Sequence, residues 1–188
     1  HAADGSLLAE YAEQRRLFVP IENVPKKLIQ AYLAAEDKTF YTHSGLDYRG
    51  IFAAAVRYVQ VKLTGRGQIV GASTITQQVA KNFLLSNELS IARKVKEVVL
   101  ATRIEKALSK KRILELYLNL IEWGDGIWGC EAAAQSYFGV SAADLSPAQA
   151  ALLAAAIINP RRYSPAHPNA VLLKRQAIIL KRMGDVTP

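Results

Sequence analysis

Gly71-Ala72-Ser73-Thr74-Ile75-Thr76-Gln77-Gln78-Val79-Ala80-Lys81-Asn82 is the stretch on which the reading of this chain turns. It carries hydroxyls at 73, 74 and 76, then two adjacent carboxamides, then a cation and a further amide. Little of it is apolar, so it makes a poor core segment. Ser73 or Thr74 is placed to cap a short helix running to Lys81 or Asn82. Its hydroxyls and amides both donate and accept, and Lys81 adds a fixed charge, a set suited to a polyhydroxylated or anionic ligand. A polar loop leading into a solvated helix face is the competing reading of these residues.

Working upstream, residues 1–24 read as an extended or hairpin-like lead-in and connector. Pro25 suits a helix start, and Leu28, Ile29, Tyr32 and Leu33 form a helical stripe that runs into Glu36-Asp37. A loop from Lys38 to Gly45 follows. Asp47 is a natural N-cap for a second helix, on which Ile51, Phe52, Ala55, Val56 and Val59 are apolar. Gly65 and Gly67 break that helix, and the segment of about 61–70 is expected to be mobile.

Downstream, Phe83-Leu84-Leu85 reads as an apolar turn. Ser90 caps a basic helix over about 91–108, with Ile91, Val95, Val98 and Thr102 on its expected buried side. Arg93, Lys94 and Glu97 share another face. Ser109 starts a helix that turns Ile113, Leu114, Tyr117 and Leu118 inward and ends at Asn119. Residues 122–129 read as a loop rich in Gly and Trp, in which Trp123 and Trp128, with Tyr137 beyond, suit either sugar stacking or packing. A short Ala-rich helix from Glu131 to Phe138 comes next. Ser146-Pro147-Ala148-Gln149 is a capping box opening an apolar helix to Ile158, and a last helix covers about 169–183.

The 188 residues are 51% hydrophobic, enough for one domain with a substantial core. The formal charge of +8 is concentrated between Arg93 and Arg112 and suits nucleic acid, an anionic membrane or a phosphorylated substrate. The single cysteine, Cys130, reads as a packed thiol. No apolar run is long enough to span a bilayer, and the abrupt opening at His1 raises the expectation that a membrane anchor has been lost. Gly-x-Ser-x-Gly, P-loop and dinucleotide-binding fingerprints are absent. His43 has no partner at metal-ligand spacing, so it is read as orienting its loop.

Two acids stand out. Glu36 ends a helix, where the negative dipole end and neighbouring aromatics favour a raised pKa and general acid or base work. A solvated turn acid is the alternative. Glu97 is either a surface ion-pair partner of Arg93 and Lys94 or a second carboxylate in a cationic groove.

Taken together, Glu36-Asp37-x-x-Phe40-x-x-His43-x-Gly45, then Gly71 to Asn82, then Arg93-Lys94-x-x-Glu97, then Arg112-Ile113-Leu114-Glu115-x-Tyr117-Leu118-Asn119 resemble, in order, the motifs of the peptidoglycan glycosyltransferases, glycosyltransferase family 51. The first half looks like the module of class A penicillin-binding proteins, and residues 122–129 and 159–163 look more like monofunctional transglycosylases. No transpeptidase Ser-x-x-Lys follows. Many members carry an Arg shortly before the Arg-Lys-x-x-Glu motif, where this chain has Leu89, so Lys81, Arg93 and Lys94 are left to hold phosphate.

The resemblance implies a mainly α, lysozyme-like fold with two lobes, the smaller facing the membrane through about 61–70, in one domain over 1–188. It implies polymerisation of lipid II into a β-1,4-linked glycan strand with inversion. Glu36 would be the general base and Glu97 would assist departure of the lipid diphosphate, directly or through a divalent cation such as magnesium near Glu36, Asp37 or Glu97. Ser73, Thr74, Gln77, Gln78 and Asn82 would bind substrate with Lys81, Arg93 and Lys94, while Asp37 and His43 shape the loop. Partners would be lipid II, the growing strand, an anionic membrane surface and moenomycin-type inhibitors, at the periplasmic face of a bacterial inner membrane. A glycan hydrolase needs no diphosphate clamp, and a nucleic-acid-binding protein needs neither Glu36 nor the Ser-Thr-Gln-Gln stretch.

Overall fold

Ser146 accepts from the backbone N–H of Gln149, and the Gln149 side chain accepts from the N–H of Ser146, closing both halves of the expected capping box. The helix it opens, Pro147–Ala156, is apolar on every side and buries all residues from Ala150 to Ala156. A helix of that composition belongs at the centre of a protein. Lys26–Glu36 and Ala170–Met183 pack against it. In the computed structural model, which describes residues 15–66, 71–84 and 90–186, these are α7, α1 and α8 of a mainly helical fold.

The other helices are α2 (Tyr48–Thr64), α3 (Ile75–Leu84), α4 (Ile91–Ala107), α5 (Lys110–Leu120) and α6 (Cys130–Phe138). The stripe Leu28, Ile29, Tyr32 and Leu33 of α1 faces the core, as do Ile113, Leu114, Tyr117 and Leu118 of α5. The Cys130 thiol is buried at the start of α6, and burial pushes its pKa up to about 12, so it is an inert packed group.

Three expectations are corrected. Residues 122–129 form an antiparallel hairpin, β2 (Glu122–Gly124) and β3 (Ile127–Trp128), to which β1 (Arg15–Arg16) adds in parallel. Asp125-Gly126 makes its turn, with Gly126 at φ +70°, the conformation such turns require. The described end of the lead-in thus pairs with a distant strand, and its remainder lies outside the described residues. Trp123 is packed on the Tyr32 ring with centroids 4.6 Å apart and only 2% exposed, which excludes it as a sugar platform.

Second, the buried side of the basic helix is turned away from the expected one, leaving Val98 and Thr102 only half-buried. Ile91 is 86% exposed and Val95 58%, while Glu97 and Ala101 are buried. The helix docks on α3 through its polar edge because Gln77 meets Glu97 there. Third, Val61–Thr64 complete α2, which Gly65 ends at φ +65°. Phe83 and Leu84 likewise belong to α3 rather than to a turn. Residues 67–70 of the expected mobile segment, and Leu89, lie outside the described residues.

Candidate active site

Glu36 is the last residue of α1 and Asp37 is its C-cap. The two adjacent carboxylates have different surroundings. Asp37 is buried and holds the local architecture. It accepts from His43 Nε2 at 2.9 Å and from the backbone N–H of Ile75 at 3.0 Å, tying the loop and the first turn of α3 to the end of α1. The N–H of Gly45 donates to His43 Nδ1 at 3.1 Å, which leaves the ring proton on Nε2, facing Asp37. Glu36 is half-buried and, among the described residues, receives one hydrogen bond, from Gln78 Nε2 at 2.9 Å. Burial pushes its carboxyl above the ordinary carboxylate range. The Gln78 bond and the charge of Arg175 pull it back, and the neighbouring Asp37 charge adds to the rise.

Thr74 is the cap of α3. Its hydroxyl accepts from the N–H of Gln77 at 3.1 Å and donates to the carbonyl of Gly45 at 2.7 Å, while Gln77 Oε1 accepts from the N–H of Thr74. This reciprocal box leaves Gln77 Nε2 free to donate to Glu97 at 3.2 Å. Glu97, 2% exposed, also pairs with Arg93 at 3.2 Å and with Lys94. Lys94 donates in turn to Ser73 Oγ at 3.1 Å. The surface ion-pair reading of Glu97 is thereby set aside: the acid lies buried between two cations and an amide.

Gln77 and Gln78 are consecutive, so their side chains diverge by about 100° around α3. One reaches Glu97 and the other Glu36, so α3 serves both acids without bringing them into contact. Lys81 and Asn82 lie one turn further on and are exposed; neither bonds to either acid. Glu36, Asp37, Ser73 and Thr74 line a cleft of about 440 Å³, together with Lys38 and the α2 residues Gly50, Ala53, Ala54 and Arg57. That size falls within the range of ~300–1,000 Å³ usual for ligand sites.

Several contributors were not read from the sequence. Tyr117, read only as core, donates to Gln78 Oε1 at 3.3 Å and so fixes which end of that amide faces Glu36. Glu115 and Asn119, one turn apart on α5, bind the backbone of the incoming chain: Glu115 accepts from Ile21 N–H, and Asn119 both accepts from and donates to Val19. Thr76 donates to Glu105, which also pairs with Lys110, and Lys110 lies 4.4 Å from the Phe40 ring centroid. Gly45, at φ +95°, sits so close to α4 that an added Cβ would fall 3.1 Å from the carbonyl oxygen of Ala101. Gly45→Ala is therefore expected to cost about 1–3 kcal/mol and to lower the melting temperature, as calorimetry would show; an unchanged melting temperature would contradict the close approach.

Among the described residues no three His, Cys, Asp or Glu side chains gather as a metal-ligand set. Asp37 is spent on His43 and Ile75, and both Glu97 oxygens are engaged by cations and amide. With their oxygens so engaged, Asp37 and Glu97 do not fit a divalent cation.

A mainly helical scaffold thus carries one lightly bonded, elevated carboxylate and one carboxylate locked among cations, served by the same helix. A model of the transglycosylase family matches residues 4–184, and the chain belongs to that family. It is similar to penicillin-binding protein 1A of Rickettsia prowazekii (strain Madrid E), with 46% identity over 98% of this chain and 23% of that protein. The namesake proteins of Escherichia coli (strain K12) and Aquifex aeolicus (strain VF5) are 43% and 44% identical, over 98% and 99% of this chain and 21% and 26% of theirs. The chain spans about a quarter of the length of these curated relatives.

Proposed function

We propose that this domain polymerises lipid II into β-1,4-linked glycan with inversion, releasing the lipid diphosphate. The observation that carries the reading is the contrast between its two acids. Among the described residues Glu36 meets no cation in a hydrogen bond, and burial raises its pKa, the state of a proton acceptor; Glu97 is held by two cations and an amide, the state of an organiser. The acceptor 4-hydroxyl oxygen attacks the anomeric carbon of the donor as its proton passes to Glu36. The bond from that carbon to the diphosphate oxygen breaks, and the diphosphate leaves with the electron pair. Arg93 and Lys94 together exceed the charge of Glu97 by one, and the Lys94 side chain is 44% exposed, so the pair retains a reachable charge for a phosphate oxygen. Ser73 and Lys81 extend this cradle, Gln77 and Gln78 hold the two acids, and Thr74, Asn82, Asp37 and His43 shape the surrounding surface.

Incubation with labelled lipid II tests the reading. A ladder of glycan chains, suppressed by moenomycin, is expected. Cleavage of finished glycan without polymerisation would turn the reading to a hydrolase.

The same reading puts the domain on an anionic membrane at the outer face of the cytoplasmic membrane, where lipid II is presented. Among the described residues no helix is long and apolar enough to cross a bilayer. The support comes from α2, which buries none of its residues. Tyr48, Ile51, Phe52, Val56, Val59 and Leu63 recur at helical spacing along one exposed side, with Arg49, Lys62 and Arg66 close by. The membrane-facing surface is thus the helix, rather than the 61–70 segment alone. Phe52→Asp with Leu63→Asp is expected to abolish co-sedimentation with vesicles containing anionic lipid while leaving the melting temperature in place. Failure of the unaltered protein to bind vesicles of any composition would remove the membrane claim.

A further inference from the structure

The reaction proposed above joins two substrates that each carry a diphosphate, yet neither Arg93 nor Lys94 lines the cleft, and Lys94 meets it only through Ser73. One wall of the cleft is the α2 face bearing Gly50, Ala53, Ala54 and Arg57, at offsets of three, four and seven residues. Three small residues leave that wall flat and open. The long side chain comes one turn beyond them and is a cation.

Arg57 and Lys38 both line the cleft with Glu36. Neither has a hydrogen bond or ion pair among the described residues, in contrast to Arg93, Lys94, Lys110, Arg112 and Arg161, which all have carboxylate partners. The other acids in the cleft do not neutralise them. Asp37 is bound to His43, and Asp47 is bound to the N–H of Gly50 and the Thr39 hydroxyl, which hold its carboxyl below its usual range. The cleft therefore presents two uncompensated cations beside the base.

Resting on the glycosyltransferase reading, we propose that Arg57 and Lys38 form a second anion subsite, which holds the acceptor by a negatively charged group while its hydroxyl faces Glu36. Two groups of that chemistry are available on such an acceptor: the sugar-linked diphosphate and the carboxylates of the stem peptide. Arginine offers a fork of donors that a phosphate or carboxylate fills in pairs. The subsite acts on acceptor capture, so its loss appears in KM.

The test uses a lipid II donor lacking a free equatorial 4-hydroxyl, which cannot itself accept, while the acceptor concentration is varied. With lipid II as acceptor, Arg57→Gln is expected to raise the acceptor KM about tenfold or more, as loss of a charge-assisted contact does, with kcat changed less than twofold. Lys38→Gln moves KM in the same direction, and Arg57→Lys recovers part of the loss. Two further acceptors identify the anion. One has its stem carboxylates amidated, and the other carries a neutral alkyl glycoside in place of the diphosphate. The variant's penalty vanishes with whichever acceptor lacks the recognised group. An unchanged KM, or an equal penalty across all three acceptors, overturns the subsite. If the unaltered protein transfers no sugar at all, it is the underlying reading that fails.

Discussion

Glu36→Gln is expected to reduce polymerisation by about 10²–10⁴-fold, the usual contribution of a positioned acid or base, while lipid II binding persists. The substitution preserves shape and leaves an amide beside Gln78, so the cleft keeps its contour and its cations. Activity at the wild-type level would end the assignment of Glu36 as base. The same variant has a second, opposite signature. Because burial raises the Glu36 carboxyl above its ordinary value of 4.5, the folded protein binds that proton more tightly than the unfolded chain does. Ionising it costs stability. The cost is absent below the unfolded value, grows as pH rises towards the folded one and is complete above it. Glu36→Gln should therefore melt higher than the wild type at about pH 7, with the gap closing on acidification. Turnover in the wild type should fall on acidification at a pH above that typical of a solvated glutamate.

Glu97→Gln is expected to lower kcat by about 10²-fold and to lower the melting temperature as well. The carboxylate is 2% exposed and faces Arg93, Lys94 and Gln77. Its neutralisation leaves two cations side by side with no counter-charge. Removing one member of a fully buried ion pair costs ~3–5 kcal/mol; the loss here is smaller, because the Lys94 side chain is 44% exposed and solvent screens it. Stability and turnover thus fall together, whereas in Glu36→Gln they move apart. The acid limb of the pH profile should stay where Glu36 sets it. A limb that shifts or disappears in Glu97→Gln would transfer the base to Glu97.

Helices whose burial is decided by their own periodicity were legible. Leu28 to Leu33 and Ile113 to Leu118 face the core as their spacing requires, and the capping residues Asp47, Ser90, Ser109 and Ser146 all lie where their side chains predict. On α4 periodicity misled. A helix with an apolar stripe and a polar stripe buries whichever finds the better partner, and here Gln77, 20 residues away, claims Glu97. The contacts that assemble the site are longer still. Gln78 meets Glu36 across 42 residues and Asp37 meets Ile75 across 38, separations at which spacing carries no information and only the ordered motifs pointed to proximity. The hairpin at Asp125-Gly126 was a different case: the turn signal stood in the sequence, but its flanking strands are too short to alternate visibly.

Helix α2 has its exposed apolar residues on one side and its cleft wall on the other. If the apolar side rests on the bilayer, the sugar chemistry takes place roughly one helix diameter, ~10–12 Å, above the headgroups. That thickness works as a ruler. Any sugar tethered to the lipid must bridge that height before its hydroxyl reaches Glu36.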